Sequence, residues 1–131
     1  MPFKITALYA GINGLILLVL AIRVARQRGI SKVGLGTGGD ATLERRVRIH
    51  GNAAESIPII LILLGLAEAC GSQPWLLHGI GIALTLGRLL HIWGITQSSG
   101  VSPGRVSGMI LTWLALGVGA IRALTYGLSQ F

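Results

Sequence analysis

Residues 5–22 read ITALYAGINGLILLVLAI, and this stretch decides the fold class. Only Thr6 and Asn13 within it are strongly polar. The hydrocarbon core of a bilayer is about 30 Å thick and takes about 20 helical residues to cross. With its flanks the run is long enough. Arg23, Arg26 and Arg28 follow it rather than a small-residue cleavage site, so no cleavable signal peptide is expected. The rest of the chain has the same character. Of its 131 residues, 52% are hydrophobic and 11% are charged, and mean hydropathy is +0.74. Soluble domains carry roughly 25% charged residues, so this chain has too few polar side chains to cover a soluble core. The expected fold is all-α, an integral membrane four-helix bundle. The helices are placed at about 3–28, 41–69, 75–96 and 105–128, in a single transmembrane domain covering 1–131.

The net charge of +7 comes from eleven Lys and Arg against four Asp and Glu. Such a balance can mean nucleic acid. Here, however, Arg23, Arg26, Arg28, Lys32, Arg45, Arg46 and Arg48 crowd between two apolar runs, which is the pattern of a cytoplasmic connection. With Arg105, they place the connections 23–48 and 97–104 in the cytoplasm and both termini outside. No nucleic-acid partner is expected. The glycine cluster GLGTGGD, 34–40, lacks the Lys-Ser/Thr ending of a P-loop and reads as a flexible turn, after which Asp40 or Thr42 caps the next helix. The single cysteine, Cys70, excludes an intrachain disulfide and a cysteine-based zinc cluster; it reads as a small buried residue near a helix end, and no metal site is expected.

The informative residues are polar ones at membrane depth. A charge near the bilayer centre costs on the order of 3 kcal/mol and by default marks function. Arg45, Arg48, Asn52 and Glu55 are separated by three, four and three residues, which puts them on one helical face. Arg88 and His91 share a face of the third helix. Glu55 lies about 18 residues before the centre of the turn at 71–74 and Arg88 about 16 after it, so at 1.5 Å per residue they sit at nearly equal depth. A Glu55–Arg88 contact is therefore expected, either as a lock for the bundle or as part of a site. Pro58 is expected to weaken or kink the second helix. Asn13 is expected to find a partner on a neighbouring helix, and Gly108, Gly117 and Gly119 to allow close packing. His78 and Glu68 are read as solvated or capping groups near the outer end, and Arg122 as reaching outward.

The segment ERRVRIHGNAAESIP, 44–58, resembles the signature of the MAPEG family, the membrane-associated proteins of eicosanoid and glutathione metabolism. Arg48, His50, Asn52 and Glu55 match its Arg-x-His-x-Asn-x-x-Glu pattern, and Pro58 also fits. GRLLH, 87–91, resembles the family's Arg-x-x-His segment, and Pro103 and Arg105 a third motif. The glycine-rich first connection is most like bacterial members, which points to a bacterial inner membrane. The resemblance implies a homotrimer with a glutathione site between subunits, toward the cytoplasmic half. Glutathione would be the co-substrate and a small hydrophobic molecule the second partner, arriving from the lipid. The implied binding residues are Asn52, Glu55 and His91, with Arg48, His50 and Arg88 matching the pattern beside them. Arg105 is the implied catalytic residue, near the thiol. Arg23 or Arg26 matches loosely a residue that reaches a neighbouring subunit's site.

The chain departs from the family's eicosanoid-forming members. Ile95 stands where several enzymes carry Tyr, Gly51 where some carry Arg, and Val106 where a prostaglandin-forming member carries Ser. The expected function is thus a membrane-bound glutathione-dependent transferase or peroxidase acting on hydrophobic electrophiles. The alternatives are a non-catalytic family member with a structural or lipid-binding polar network, and a small proton-coupled exporter, against which the expected Glu55–Arg88 pair counts.

Overall fold

The chain forms α1 (Lys4–Ser31), α2 (Ala41–Ala69), α3 (Pro74–Gln97) and α4 (Pro103–Leu128). Each is long and apolar enough to cross a membrane. The structure, a computed structural model, describes residues 3–98 and 100–131. Ser99, within the expected turn at 97–104, lies outside them.

Local chemistry sets the helix ends. α1 runs three residues past its expected end, with Gln27 Nε2 donating to Ser31 Oγ at 3.2 Å, and Lys32 stops it in the left-handed conformation (φ 53°). Gly38 and Gly39, at φ 56° and 79°, turn the chain just before α2, where a side chain would be strained. Asp40 then caps α2: its Oδ1 accepts from Thr42 N at 2.8 Å and Leu43 N at 3.1 Å. Its Oδ2 accepts from the Ser31 hydroxyl and from Gln27 Nε2 at 2.9 Å, tying the end of α1 to the start of α2. These bonds, the Ser31 hydroxyl foremost, hold the Asp40 carboxyl down at a pKa of about 2, from an ordinary 3.8. α2 continues as helix through Pro58 without a break. α4 starts two residues earlier than expected, with Ser102 as cap and Pro103 as first residue; that Ser-Pro pair is a helix-start signal in the sequence.

α2 and α3 form the centre, each touching both outer helices, α1 and α4. Ile57, Ile60 and Leu64 of α2 meet Leu77, Ile80 and Leu84 of α3 in the core, with Tyr9 and Leu20 from α1 and Ala115 from α4. Large apolar side chains such as Leu15, Leu18 and Ile22 on α1 and Trp113, Ile121 and Leu124 on α4 point outward. An exposed apolar surface of that extent has lipid as its solvent.

The close approach of backbone to backbone joins α3 to α4 through four glycines, Gly87, Gly94, Gly104 and Gly108. A Cβ at Gly108 would come within 2.6 Å of Gly87 O and His91 N, and one at Gly104 within 2.6 Å of the Trp93 ring. A Cβ at Gly94 would collide with the backbone N of Arg105. The helix backbones touch there because no side chain intervenes. Gly119 meets Leu63, whereas Gly117 meets nothing within 4 Å among the described residues, so the close contact expected at Gly117 is not made within this chain.

Several polar residues do more than the sequence suggested. Asn13 is fully buried and donates to Tyr9 O and Thr85 Oγ1, each at 2.9 Å, as a helix–helix contact should. Half-buried His78 has a partner, its Nδ1 pairing with Tyr9 Oη at 3.0 Å. Glu68 caps, but on another helix: it reaches across to the start of α1, accepting from Ile5 N at 3.0 Å and Thr6 N at 2.7 Å. Arg122 does reach the outer end, and there it donates to Ser72 Oγ (2.7 Å) and Cys70 O (3.2 Å), fastening the α2–α3 turn to α4. Cys70 ends α2 as a free, half-buried thiol rather than a fully buried one.

Candidate functional site

At the basic end of the bundle, Ala41, Glu44, Arg45 and Arg48 of α2, Ile95 of α3 and Arg105 of α4 line an open pocket of about 350 Å³. The helix starts described above position it. Asp40 fixes where α2 begins, so Glu44, Arg45 and Arg48 come up within its first two turns on one side. Ser102 fixes where α4 begins: its Oγ accepts from Arg105 N at 3.3 Å and donates to Gly94 O at 3.2 Å, pinning the first turn of α4 to α3. Arg105 is thereby held in that turn, at the positive end of the helix dipole and with no acidic residue in the turn. A cation there is unfavourable for the helix, and it joins Arg45 and Arg48 in making the pocket strongly attractive to anions.

A second cluster lies one turn deeper. From Arg48 to Asn52, from Ile95 to His91 and from Arg105 to Met109 is four residues each time, about 6 Å along each helix. There Arg88, 1% exposed, donates from Nη1 to Asn52 Oδ1 at 2.7 Å and from Nε to Thr112 Oγ1 at 3.1 Å, with Nη2 also on Thr112 Oγ1 and 3.8 Å from Met109 Sδ. One guanidinium thus ties α2, α3 and α4 together beneath the pocket. His91 is buried beside it, its backbone against Gly108.

The expected Glu55–Arg88 contact is not made. Arg88 takes Asn52 and Thr112 instead, and Glu55 is exposed. Glu55 lies two residues, about 200° around the helix, from core residue Ile57 and so points away from the core. His50 is likewise not brought to the pocket. It stands two residues from Arg48, on nearly the opposite side of α2. Of the seven residues singled out from the sequence, Arg48 and Arg105 line the pocket, Asn52, Arg88 and His91 lie below it, and Glu55 and His50 stand apart. Glu44 was passed over, although its four-residue spacing from Arg48 puts it on the same side of the helix.

The sequence profile of the MAPEG family matches residues 6–125, covering all four helices and both clusters. The chain belongs to the MAPEG family. This MAPEG chain is 40% identical over 112 residues to the inner membrane protein YecN of Escherichia coli K12, covering 86% of this chain and 84% of YecN. The YecN of a second Escherichia coli strain, O6:H1, matches to the same extent. An uncharacterized protein of Synechocystis is 32% identical over 132 residues, covering 95% of this chain and 90% of its own. Four spanning helices and MAPEG membership together make this an integral membrane protein. In MAPEG terms, the motif residues divide between the pocket wall, the buried cluster beneath it and the outer side of α2.

Proposed function

We propose that the chain is a glutathione-dependent transferase or peroxidase of the membrane, acting on small hydrophobic electrophiles. The observation that carries the proposal is the gathering of Arg45, Arg48 and Arg105 with the single carboxylate Glu44 around one open pocket. The donor set fits glutathione, which has two carboxylates and one ammonium. Guanidinium groups bind carboxylates bidentately, and Glu44 complements the ammonium. Bound glutathione supplies a thiol nucleophile. A thiol of pKa about 8.5 is mostly protonated at neutral pH, and a neighbouring cation favours its thiolate. Lowering that pKa by one unit takes about 1.4 kcal/mol. Arg105, reinforced by the α4 N-terminus, is the group that holds the thiolate in this proposal. Ile95 offers an apolar wall toward the second substrate.

The exposed side of α2 that carries Glu55 suits completion by a neighbouring copy, and a homotrimer is part of the proposal. So is an inner-membrane location like that named for YecN, with the basic end in the cytoplasm. A second reading has its own observation. Ile95 leaves the pocket wall without the phenol that several family enzymes carry, which favours anion binding without turnover. Loss of the Glu55–Arg88 pair removes the objection it raised to an exporter; three cations around a pocket still favour an anionic ligand.

The test is calorimetric binding of glutathione to detergent-purified protein, with Arg105→Ala and Glu55→Gln alongside the parent. Saturable binding weakened by Arg105→Ala, with turnover of an electrophile lost, supports the enzyme. Binding without turnover supports the non-catalytic reading. An intact oligomer that does not bind at all removes glutathione from the account. Glu55→Gln reports on a neighbouring copy: weaker binding supports the shared site, and unchanged binding argues against it.

A further inference from the structure

A separate feature lies on another side of the bundle. Between α1 and α3 runs an open groove of about 310 Å³, walled by Leu15, Ile16, Val19 and Leu20 on one side and by Leu89 and Ile92 on the other. Arg23 closes its end toward the basic connections. Arg23 also lines a second cavity, of about 170 Å³, with Thr42, Arg45, Arg46 and Thr96. The two spaces adjoin at Arg23 and together make a candidate track. Its apolar part extends from Leu15 to Arg23, eight residues or about 12 Å of helix, and beyond Arg23 lies a cup lined by three arginines.

The cup is positioned. Arg46 Nη1 donates to the backbone O of Arg23 at 3.1 Å, which holds α2 against α1 and sets the two arginines side by side. Among the described residues lining either space none is acidic. Like charges brought together without a carboxylate call for an anion, and the apolar groove leading away from them calls for a hydrocarbon chain. The occupant that presents both at this depth is a lipid of the adjoining leaflet, whose phosphate lies at the level of the helix ends while its acyl chain runs beside them.

We infer that this track holds an anionic phospholipid, its headgroup against Arg23, Arg45 and Arg46 and one acyl chain between α1 and α3. The inference does not depend on glutathione chemistry. Arg45 is the one residue common to both cavities, so lipid at the cup and ligand at the arginine pocket share a wall.

The experiment is native mass spectrometry of the full chain released from nanodiscs of equimolar phosphatidylglycerol and phosphatidylcholine. Three proteins are compared: the parent, Arg23→Gln/Arg46→Gln, and Val19→Trp, which fills the groove and leaves every arginine in place. The parent is expected to retain phosphatidylglycerol over phosphatidylcholine. A basic residue near the surface attracts anionic lipid by about 1 kcal/mol, so each arginine removed should lower that preference about fivefold. Val19→Trp should lower phosphatidylglycerol retention with its helical content unchanged. Equal retention of the two lipids by the parent overturns the inference, as does a preference that survives both variants. If the arginine variant fails to fold, the groove variant decides alone. Retention of added palmitate in place of phosphatidylglycerol would overturn the phospholipid assignment.

Discussion

Arg88 on α3 donates to Asn52 on α2 across 2.7 Å, and the same guanidinium holds Thr112 on α4. A charge at membrane depth is thus spent on neutral oxygens that join three helices, with no carboxylate among its partners in the described residues. Thr112→Val keeps the shape and removes the acceptor. It should cost about 1–3 kcal/mol, because buried donors lose their partner. Arg88→Lys should also destabilise the parent, since an ammonium cannot span both acceptors as the planar fork does. Thermal unfolding in one detergent measures both; a Lys variant as stable as the parent would contradict this account.

Gly94→Ala places a methyl group against the backbone of Arg105. Overfilling a tight contact costs about 1–3 kcal/mol. It must also shift the first turn of α4, which carries the cation of the arginine pocket. The expected result is a lower melting temperature together with a loss of glutathione affinity larger than Gly117→Ala causes, since Gly117 has open space beside it. Equal effects at the two positions would argue against close packing as the cause.

Within α2, position predicts effect. Arg48→Gln should weaken glutathione binding about tenfold or more, the scale of a hydrogen bond to a charged group. His50→Ala should leave the affinity unchanged, although His50 belongs to the same motif, because it faces away from the pocket. Titration calorimetry on the two variants separates the pocket from the motif.

The Asp40 carboxyl has its pKa lowered to about 2 from 3.8 by the Ser31, Gln27 and α2 backbone bonds. A depressed carboxylate stabilises the fold above the unfolded value, and that contribution is lost as pH falls. The parent should lose stability from about pH 4 down toward pH 2. Asp40→Asn, which still caps but cannot ionise, should show a flatter profile in that window. Superimposable profiles would show that the charge contributes nothing.

Much of the fold was legible because lipid imposes long apolar runs, and Pro and Gly punctuate them at 71–74 and 97–104. Cap chemistry, at Ser31 and Ser102, moved the ends by two or three residues. The site was legible in part. Periodicity put Arg48, Asn52 and Glu55 along one strip of α2, and counting from the turn gave an expected depth. Neither says how far that strip is rotated from α3. The apolar residues settle that: Ala53, Ile57 and Ile60 face the core, which leaves Asn52 at its edge and Glu55 outside. The Glu68 and Arg122 bonds were illegible for another reason. They join residues 50 or more positions apart, and no local pattern announces such partners.

The Glu68 bond bears on how the protein is made. Phe3, at the head of α1, provides no side-chain acceptor, and the amides of Ile5 and Thr6 are met by a carboxylate more than 60 residues downstream. When α1 first leaves the ribosome that carboxylate has not been synthesised. Only after α2 has threaded through the bilayer does Glu68 emerge on the same side as those amides. The first helix is therefore finished by the second, and the hairpin of the two, rather than either span alone, is the smallest piece of this chain that can settle in the membrane with the start of α1 satisfied.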